Sequence, residues 1–467
     1  MPQLTVQSNI THPQNDGTPI ARQNGPLKVA VLGSFSGNGQ HQTAAALLNR
    51  KHLRVTKDSF DDLFERLQVS LHLPIEDTQI AFDDIDDLNP DHIYQNVPAF
   101  KEYRELMAQL SSSKGFHCAV ERLAALGIVA PTPAADIKRT AATENLLDSV
   151  LSNVQQHDSG AFSVDALIRQ TIAPYIEKQP DPRAEHYIAA VENAAADLLR
   201  SILHASAFKQ LEASWRGLDM VNRRLDTDRT CHLYLVDTPM SALTEDALSH
   251  CDAVEASALY RNLIDNCAVA GEKPYDIILI DALLDNNCNA GLLPFFTHFA
   301  QRANITVLAG TSTLNPDDTN LTSPLGNQPH SEPNDASAMQ AHTGANNVFI
   351  CTPPFMARLP YGRKTHPIES FAFEELPARN TIEYYVWSNS AYLLLMTFVE
   401  GNNTIASLPF HAYLGDDGED QLVPPTGAFL PASAVECLET QGLTVAQSVK
   451  HSDSVMIQRR VSWARLE

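Results

Sequence analysis

An α/β fold, a mixed and mostly parallel sheet flanked by helices with some α+β elements, is predicted by three observations. Between residues 231 and 312, apolar strand-like runs alternate with helical patterns: "CHLYLVDT", "YDIILIDALL" and "ITVLAGTS" are separated by "VEASALYRNLIDNCAVAG" and "GLLPFFTHFAQRAN". The strand-like runs are solidly apolar instead of alternating, as strands covered on both faces are. The helical stretches show apolar residues at the 3.6-residue period, as in Phe208, Leu211, Trp215, Leu218 and Val221.

The elements follow in order. Residues 1–26 are polar and turn-rich and are expected to be mobile. "LKVAVLGSF" (27–35) reads as a buried strand. "HLRVTKDSFDDLFERLQVSLHLP" gives a strand and then a helix with Phe60, Leu63, Phe64 and Leu67 on one stripe, capped by Asp58 or Ser59. A short strand, an acidic turn and a helix running to about 110 complete a first domain over 27–112. Asp86 or Asn89 would cap that helix, with Pro90 in its first turn. Residues 111–144 read as a linker with one short helix, within a linker-and-helix region over 113–184. Residues 145–228 read as almost wholly helical, with Tyr187, Ile188, Val191, Ala195, Leu198, Leu199 and Ile202 on one face. The α/β domain spans 185–379 and contains a polar loop at 313–346, expected to be mobile, before "NVFICTPP" resumes the sheet. Residues 380–467 hold a helix near 384–399, turns such as "GDDGED" and further strands.

Composition excludes several classes of function. The chain has 467 residues, is 44% hydrophobic and carries a formal charge of −23. A surface this acidic repels phosphate backbones and anionic lipid, so neither nucleic acid nor membrane is an expected partner. No apolar run reaches about 18 residues, and "AYLLLMTFV" (391–399) is too short to span a bilayer. The first residues lack a secretory leader pattern, so a cytoplasmic location is expected. The seven cysteines, at 118, 231, 251, 267, 288, 351 and 437, form no CxxC pair and read as free, buried thiols.

The motifs that tempt a chemical reading mostly fail on spacing. "VAVLGSFSGNGQ" ends a strand in a glycine-rich loop, but no Lys-Ser/Thr pair follows Gly39 and the dinucleotide spacing is absent. Asp237 and Asp281 stand at the carboxyl ends of parallel strands, where open α/β sheets bind ligands. They support an alternative reading as a ligand-binding protein or enzyme using strand-end carboxylates. "FDDIDDLNPDH" and "GDDGED" lack the calcium-loop spacing. No cofactor or metal site is expected.

"FMARLPYGRKTHPIESFAFEE" (355–375) concentrates Arg358, Pro360, Tyr361, Gly362, Lys364, Phe371 and Phe373. The prolines fix φ and Gly362 permits a tight turn. The cations are placed to bind carboxylates such as Glu369, Glu374 or Glu375, or those of a neighbouring chain. Phe371 and Phe373 alternate as on a half-buried strand. The stretch reads as a rigid corner with a packing edge.

This block, together with "FKQLEASWRGL" (208–218, holding Trp215, Arg216 and Gly217), "SALYRNLIDNCAVAGEKPYDIILIDALL" and "LPFHAYLGDDGE", resembles the large subunit of the type VI secretion contractile sheath. "LRVTKDSFDDLFERLQVSLHL" and "IAFDDIDDLNPDHIYQNVPAFKEYRELMAQL" resemble the small subunit of the same sheath. The resemblance implies a fused small-plus-large sheath subunit, or a sheath or baseplate accessory, shortened relative to the family after about residue 462. It implies no enzymatic activity. It also implies partners among sheath or baseplate proteins, the chain itself included, and a sheath-disassembling ATPase. The residues named in the two large-subunit blocks are its structural and interface candidates.

Overall fold

The computed structural model describes residues 25–37, 43–75, 78–112, 115–125, 183–284, 292–312, 345–376, 382–414 and 420–463. The expectations for the first 24 residues, for residues 126–182, for Cys288, for the 313–344 loop and for most of the "GDDGED" turn lie outside them.

A seven-stranded sheet organises the larger of two compact units, formed by residues 1–97 with 199–467. Its strands are β1 (Leu27–Gly33), β2 (Leu53–Val55), β3 (Cys231–Asp237), β4 (Ile277–Leu283), β5 (Thr306–Gly310), β6 (Val348–Thr352) and β7 (Leu443–Val445), in the spatial order β7-β6-β5-β4-β1-β3-β2. All neighbours are parallel except β2, which runs antiparallel to β3 at one edge. The fold is α/β, as the solid apolar runs predict. β1 is central: Leu27 to Gly33 pair in register with Cys231 to Asp237 on one side, and Val29 to Leu32 with Ile277 to Ile280 on the other.

Both faces of the sheet are covered, so the strands bury alternate side chains in two cores. On one face Ala30, Leu32, Ile278, Ile280 and Val307 pack with helices α7 (Met240–Ser249) and α8 (Leu292–Ala303), where Phe295, Phe296 and Phe299 are buried. The other face carries α9 (Ala391–Glu400), buried from Ala391 to Val399. A helix apolar all round needs cover on every side, and here the sheet and α6 (Ser206–Arg224) provide it. "AYLLLMTFV" is therefore core. Gly401 (φ 73°) ends the helix in the left-handed conformation that the backbone needs there.

Several local expectations are corrected. The first helix, α1, is only Asp62–Leu67; neither Asp58 nor Ser59 caps it, and the Ser59 hydroxyl instead bonds Thr56 at 2.7 Å. Phe60 lies in the preceding turn, yet it is buried with Leu63 and Phe64. The helix expected to run to about 110 breaks at Val97 and Pro98 into α2 (Pro90–Asn96) and α3 (Lys101–Leu110). Pro98 brings no amide hydrogen and pushes Val97 to extended backbone (ψ 127°). Asn89 does cap α2, accepting from the Asp91 amide at 3.0 Å, with Pro90 in the first turn. The helix expected over 254–271 is interrupted: a short turn at Val254–Ala256 precedes a helical run with a π-type turn at Arg261–Asp265. The helix expected near 384–399 starts only at Ala391, and α7 and α10 (Ala432–Thr440) were not anticipated. None of the six described cysteines is in a disulfide, but Cys118 and Cys437 are exposed and Cys251 is half-buried rather than buried.

Residues 98–198 form the second compact unit. Its described part comprises α3, α4 (Phe116–Ala125) and the first turns of α5 (Ala184–Leu203), closing over Leu106, Leu110, Phe116, Ala119, Leu123 and Val191. Arg122 bridges Glu102 at 3.2 Å across the α3–α4 pair.

Candidate functional site

The 355–375 block is built around a buried guanidinium. Arg358 lies between two carboxylates from distant parts of the chain. Its Nε and Nη2 donate to Glu212 on α6 (2.6 and 3.1 Å), and its Nη1 and Nη2 donate to Glu375 (2.7 and 2.9 Å). Both pairs are bidentate, the geometry that suits a planar guanidinium to a carboxylate. The Tyr361 ring stacks 4.3 Å from the guanidinium carbon, and the Tyr361 amide donates to Glu375 at 2.7 Å. Arg216, one turn beyond Glu212, donates to Glu212 at 2.7 Å and to the Tyr361 hydroxyl at 3.1 Å. Two cations and two anions thus balance, with Arg358, Glu212 and Glu375 buried and Arg216 partly exposed.

Burial alone would push Glu212 and Arg358 towards their neutral forms, and the partners prevent it. Burial raises the Glu212 carboxyl, but Arg358 and Arg216 outweigh it and hold Glu212 below the usual range. Burial likewise opposes the Arg358 charge, and Glu212 and Glu375 more than restore it. His204 lies 3.9 Å from Glu375. Burial pushes its imidazole down to about 4 despite that carboxylate, so the pair is not an ion pair at neutral pH.

The remaining sequence candidates divide into two groups. Pro360, Tyr361, Phe371 and Phe373 are buried; Arg363, Lys364 and His366 face solvent. Gly362 makes the expected tight turn, its amide bonding the His366 carbonyl at 2.9 Å. Phe371 and Phe373 alternate inward as read, but their backbone is not a strand. Of the three carboxylates proposed for the cations Arg358, Arg363 and Lys364, Glu375 is a partner of Arg358. Glu374 instead accepts from the Arg363 amide at 3.2 Å, and Glu369 offers its own amide to Asp91. Glu212 was missed. Its only sequence signal was a carboxylate at i−4 from Arg216 inside an apolar helix stripe.

Asp91, at the start of α2, joins this corner to the amino-terminal region. It accepts from the amides of Glu369 and Ser370 (2.8 and 2.9 Å) and from the Ser370 hydroxyl (2.6 Å), while Tyr94 packs on Phe371 with centroids 5.0 Å apart. Trp215 makes a second junction. Its ring stacks on Phe64 (3.9 Å), meets Phe35 and Phe60 edge-on, and donates its indole N–H to the Phe35 carbonyl at 3.0 Å. Gly217 lets α6 approach the 388–392 segment: an added Cβ would lie 2.5 Å from Ser388 Oγ and from Tyr392 Cε2.

The strand-end aspartates differ: Asp237 is held by hydrogen bonds, whereas Asp281 Oδ2 is buried without a hydrogen-bond partner among the described residues. Asp237 accepts from the Phe35 and Ser36 amides (2.8 and 3.0 Å) and from Arg50 (3.2 Å), pinning the loop that follows β1. Asp281 lies under Gly33, whose Cβ position is 3.0 Å from its own Cβ. Burial pushes its carboxyl up to about 6, only partly offset by the Ser214 and Tyr392 hydroxyls. Among the described residues no group of three or more His, Cys, Asp or Glu is placed to hold a metal. No helix among them is long and apolar enough to cross a membrane.

Asp281 and His204 give opposite pH dependences. Asp281 is raised from 3.8 in the unfolded chain, so its native form binds the extra proton, and stability falls as pH rises from about 4 through about 6. His204 is lowered from 6.5, so its contribution is intact above 6.5 and is lost as pH falls towards about 4. Each is worth on the order of 2–3 kcal/mol at full effect. In urea unfolding between pH 4 and 7.5, Asp281→Asn is expected to lose stability more steeply on acidification than wild type, and His204→Gln less steeply. Parallel profiles for both variants would refute the assignment.

The comparisons with known proteins align with these junctions. Residues 185–463 match the family model for the EvpB/VC_A0108 tail sheath N-terminal domain, VipB. The chain belongs to the type VI secretion tail-sheath family. Residues 8–123 match a second model, described as type VI secretion system, VipA, VC_A0107 or Hcp2. The type VI secretion system sheath protein TssC1 of Pseudomonas aeruginosa is 24% identical over 271 residues, covering 52% of this chain and 53% of TssC1. The match therefore spans about half the length of that relative. In this sheath-family chain, Trp215 and the Arg358 block lie in the VipB-like match, and the aromatic and Asp91 groups that receive them lie in the VipA-like match.

Proposed function

We propose that this sheath-family chain is a fused subunit, in which a small-subunit-like and a large-subunit-like part act as one non-enzymatic building block of a type VI-like contractile apparatus. The observation that carries the reading is β1. A strand from the VipA-like match lies between two strands of the VipB-like match, and it shares a core with both. Tethering makes the association of the two parts intramolecular and fixes their ratio at one to one. A non-enzymatic role is favoured because Asp237 is committed to holding a loop and Asp281 is buried beneath Gly33.

In this reading the exposed cations Arg363 and Lys364 stand on a rigid corner and meet acidic surfaces of neighbouring sheath or baseplate subunits, this chain included. The assembled sheath works in the cytoplasm and is dismantled by an ATPase. Negative-stain microscopy of the purified chain, alone and co-expressed with separate small and large sheath subunits, tests the proposal. Rings, tubes or incorporation into sheaths are expected. A monodisperse monomer that also stays out of sheaths formed by the other subunits would overturn it.

A further inference from the structure

A cluster on the opposite side of β1 from the glycine-rich loop has no part in the ionic corner. Lys28 enters the sheet's lower edge with its side chain only 7% exposed. Its Nζ donates to Glu272 Oε2 and to the Lys273 carbonyl, both at 2.9 Å, and lies 3.9 Å from Cys267 Sγ. The rings of Tyr275 and Tyr234 wall it in, with centroids 4.7 and 5.3 Å away. The Tyr275 hydroxyl in turn contacts His52 Nδ1 at 2.9 Å, and His52 Nε2 contacts Asn262 at 3.1 Å. The amine is thus held in one place beside a thiol, with a carboxylate in contact. Over the cluster runs an exposed turn, residues 270–274, and the Glu272 side chain is 57% exposed. A small oxidant needs to pass only that turn.

We propose that Lys28 and Cys267 are the two ends of an oxidatively formed, oxygen-bridged cross-link, Sγ–O–Nζ, with hydrogen peroxide as the oxidant. The chemistry closes as follows. One peroxide oxidises the thiol by two electrons to a sulfenic acid and leaves as water. The ammonium gives its proton to bulk water beyond the exposed turn, and a second peroxide oxidises the neutral amine by two electrons to a hydroxylamine, again leaving water. The hydroxylamine oxygen then attacks the sulfenic sulfur: the S–O bond to the bridge forms, the S–OH bond breaks, and a third water departs. In sum, one thiol, one amine and two peroxides give the bridge and three waters. The present separation suits an inserted oxygen, whereas a direct N–S bond would have to close a far larger gap.

The consequence is a covalent staple between the two family-model regions, since Lys28 lies within the VipA-like match and Cys267 within the VipB-like match. Burial raises the Cys267 thiol, with Lys28 opposing it only in part, so the thiol reacts slowly. The exposed Cys118 and Cys437 react first, so serine variants at those two positions remove the two exposed competitors, and the peptide pair, not the whole-chain mass alone, identifies the product.

The test treats the full chain, in the Cys118→Ser/Cys437→Ser background, with hydrogen peroxide and reads it by non-reducing mass spectrometry. The expected product gains one oxygen and loses two hydrogens, a shift of about +14 Da, against about +32 Da for a sulfinic acid. Digestion should give one cross-linked peptide pair containing Lys28 and Cys267, which dithiothreitol separates. The pair should be absent from Lys28→Arg and from Cys267→Ala, both checked for wild-type circular dichroism. The oxidised background protein should also melt at higher temperature than the reduced form, and Lys28→Arg should not. Four results would overturn the proposal: no modification at either residue, oxidation of Cys267 to sulfinic acid without a cross-link, a cross-link about 2 Da lighter than the reduced pair, or a +14 Da product that persists in Cys267→Ala.

Discussion

Replacing Arg358 with methionine is expected to cost about 3–5 kcal/mol of stability, the range for leaving buried charges without their partner. Glu212 is fully buried and Glu375 is 1% exposed, so neither carboxylate can turn to water when the guanidinium is gone. Glu212 would keep Arg216, but Glu375 would keep only backbone and His204 as neighbours. The sharper test is the companion substitution. Because most of the loss comes from stranded charge, Arg358→Met/Glu375→Met should recover at least about 1–2 kcal/mol of it. Urea unfolding of the two variants and wild type measures this. A single variant within about 1 kcal/mol of wild type, or a double variant less stable than the single, would show that the pair is not what holds the corner.

Trp215→Ala is the second large effect, expected at about 3–5 kcal/mol for a fully buried large aromatic. The indole leaves a cavity among Phe35, Phe60 and Phe64 and strands the Phe35 carbonyl. Trp215→Phe keeps much of the packing and should lose about 1–2 kcal/mol, mainly the hydrogen bond. Since the same side chain packs residues from both family-model regions, hydrogen exchange should report on both. Amides of β1 and of β3 should lose protection together in Trp215→Ala. Loss confined to α1 would mean that the two regions are cooperative only in name.

Much of this fold was legible because its strands are covered on both faces. Val29 to Leu32, Leu233 to Val236 and Ile277 to Ile280 are buried with little interruption, and that is how they read. The aromatic stripe on α6 was equally plain. Relations set by distant residues were not legible. Nothing near Arg358 announces Glu212, 146 positions earlier, whereas Glu375, 17 positions away, lay within the same block. The antiparallel placement of β2 depends on its pairing with β3, almost two hundred residues on, and no local pattern encodes strand direction. The π-type turn at Arg261–Asp265 and the late start of α9 were hidden for a different reason. Helical periodicity tolerates one extra residue, and Trp387 and Ser388 are apolar or small enough to pass for helix while pairing instead with Phe355 and Met356.

The placement of β1 also sets the order of events at the ribosome. The hydrogen-bonding partners of Leu27–Gly33 are encoded some two hundred and two hundred and fifty residues after it. At 5–20 residues per second this strand waits on the order of 10–50 s with both edges unpaired. Nascent chains interrupted before Leu283 would therefore carry a greasy, open-edged segment. Such an unpaired edge is a template for pairing with other chains, so the order of synthesis, and not a contact missing from the finished molecule, is where this fold is exposed to aggregation.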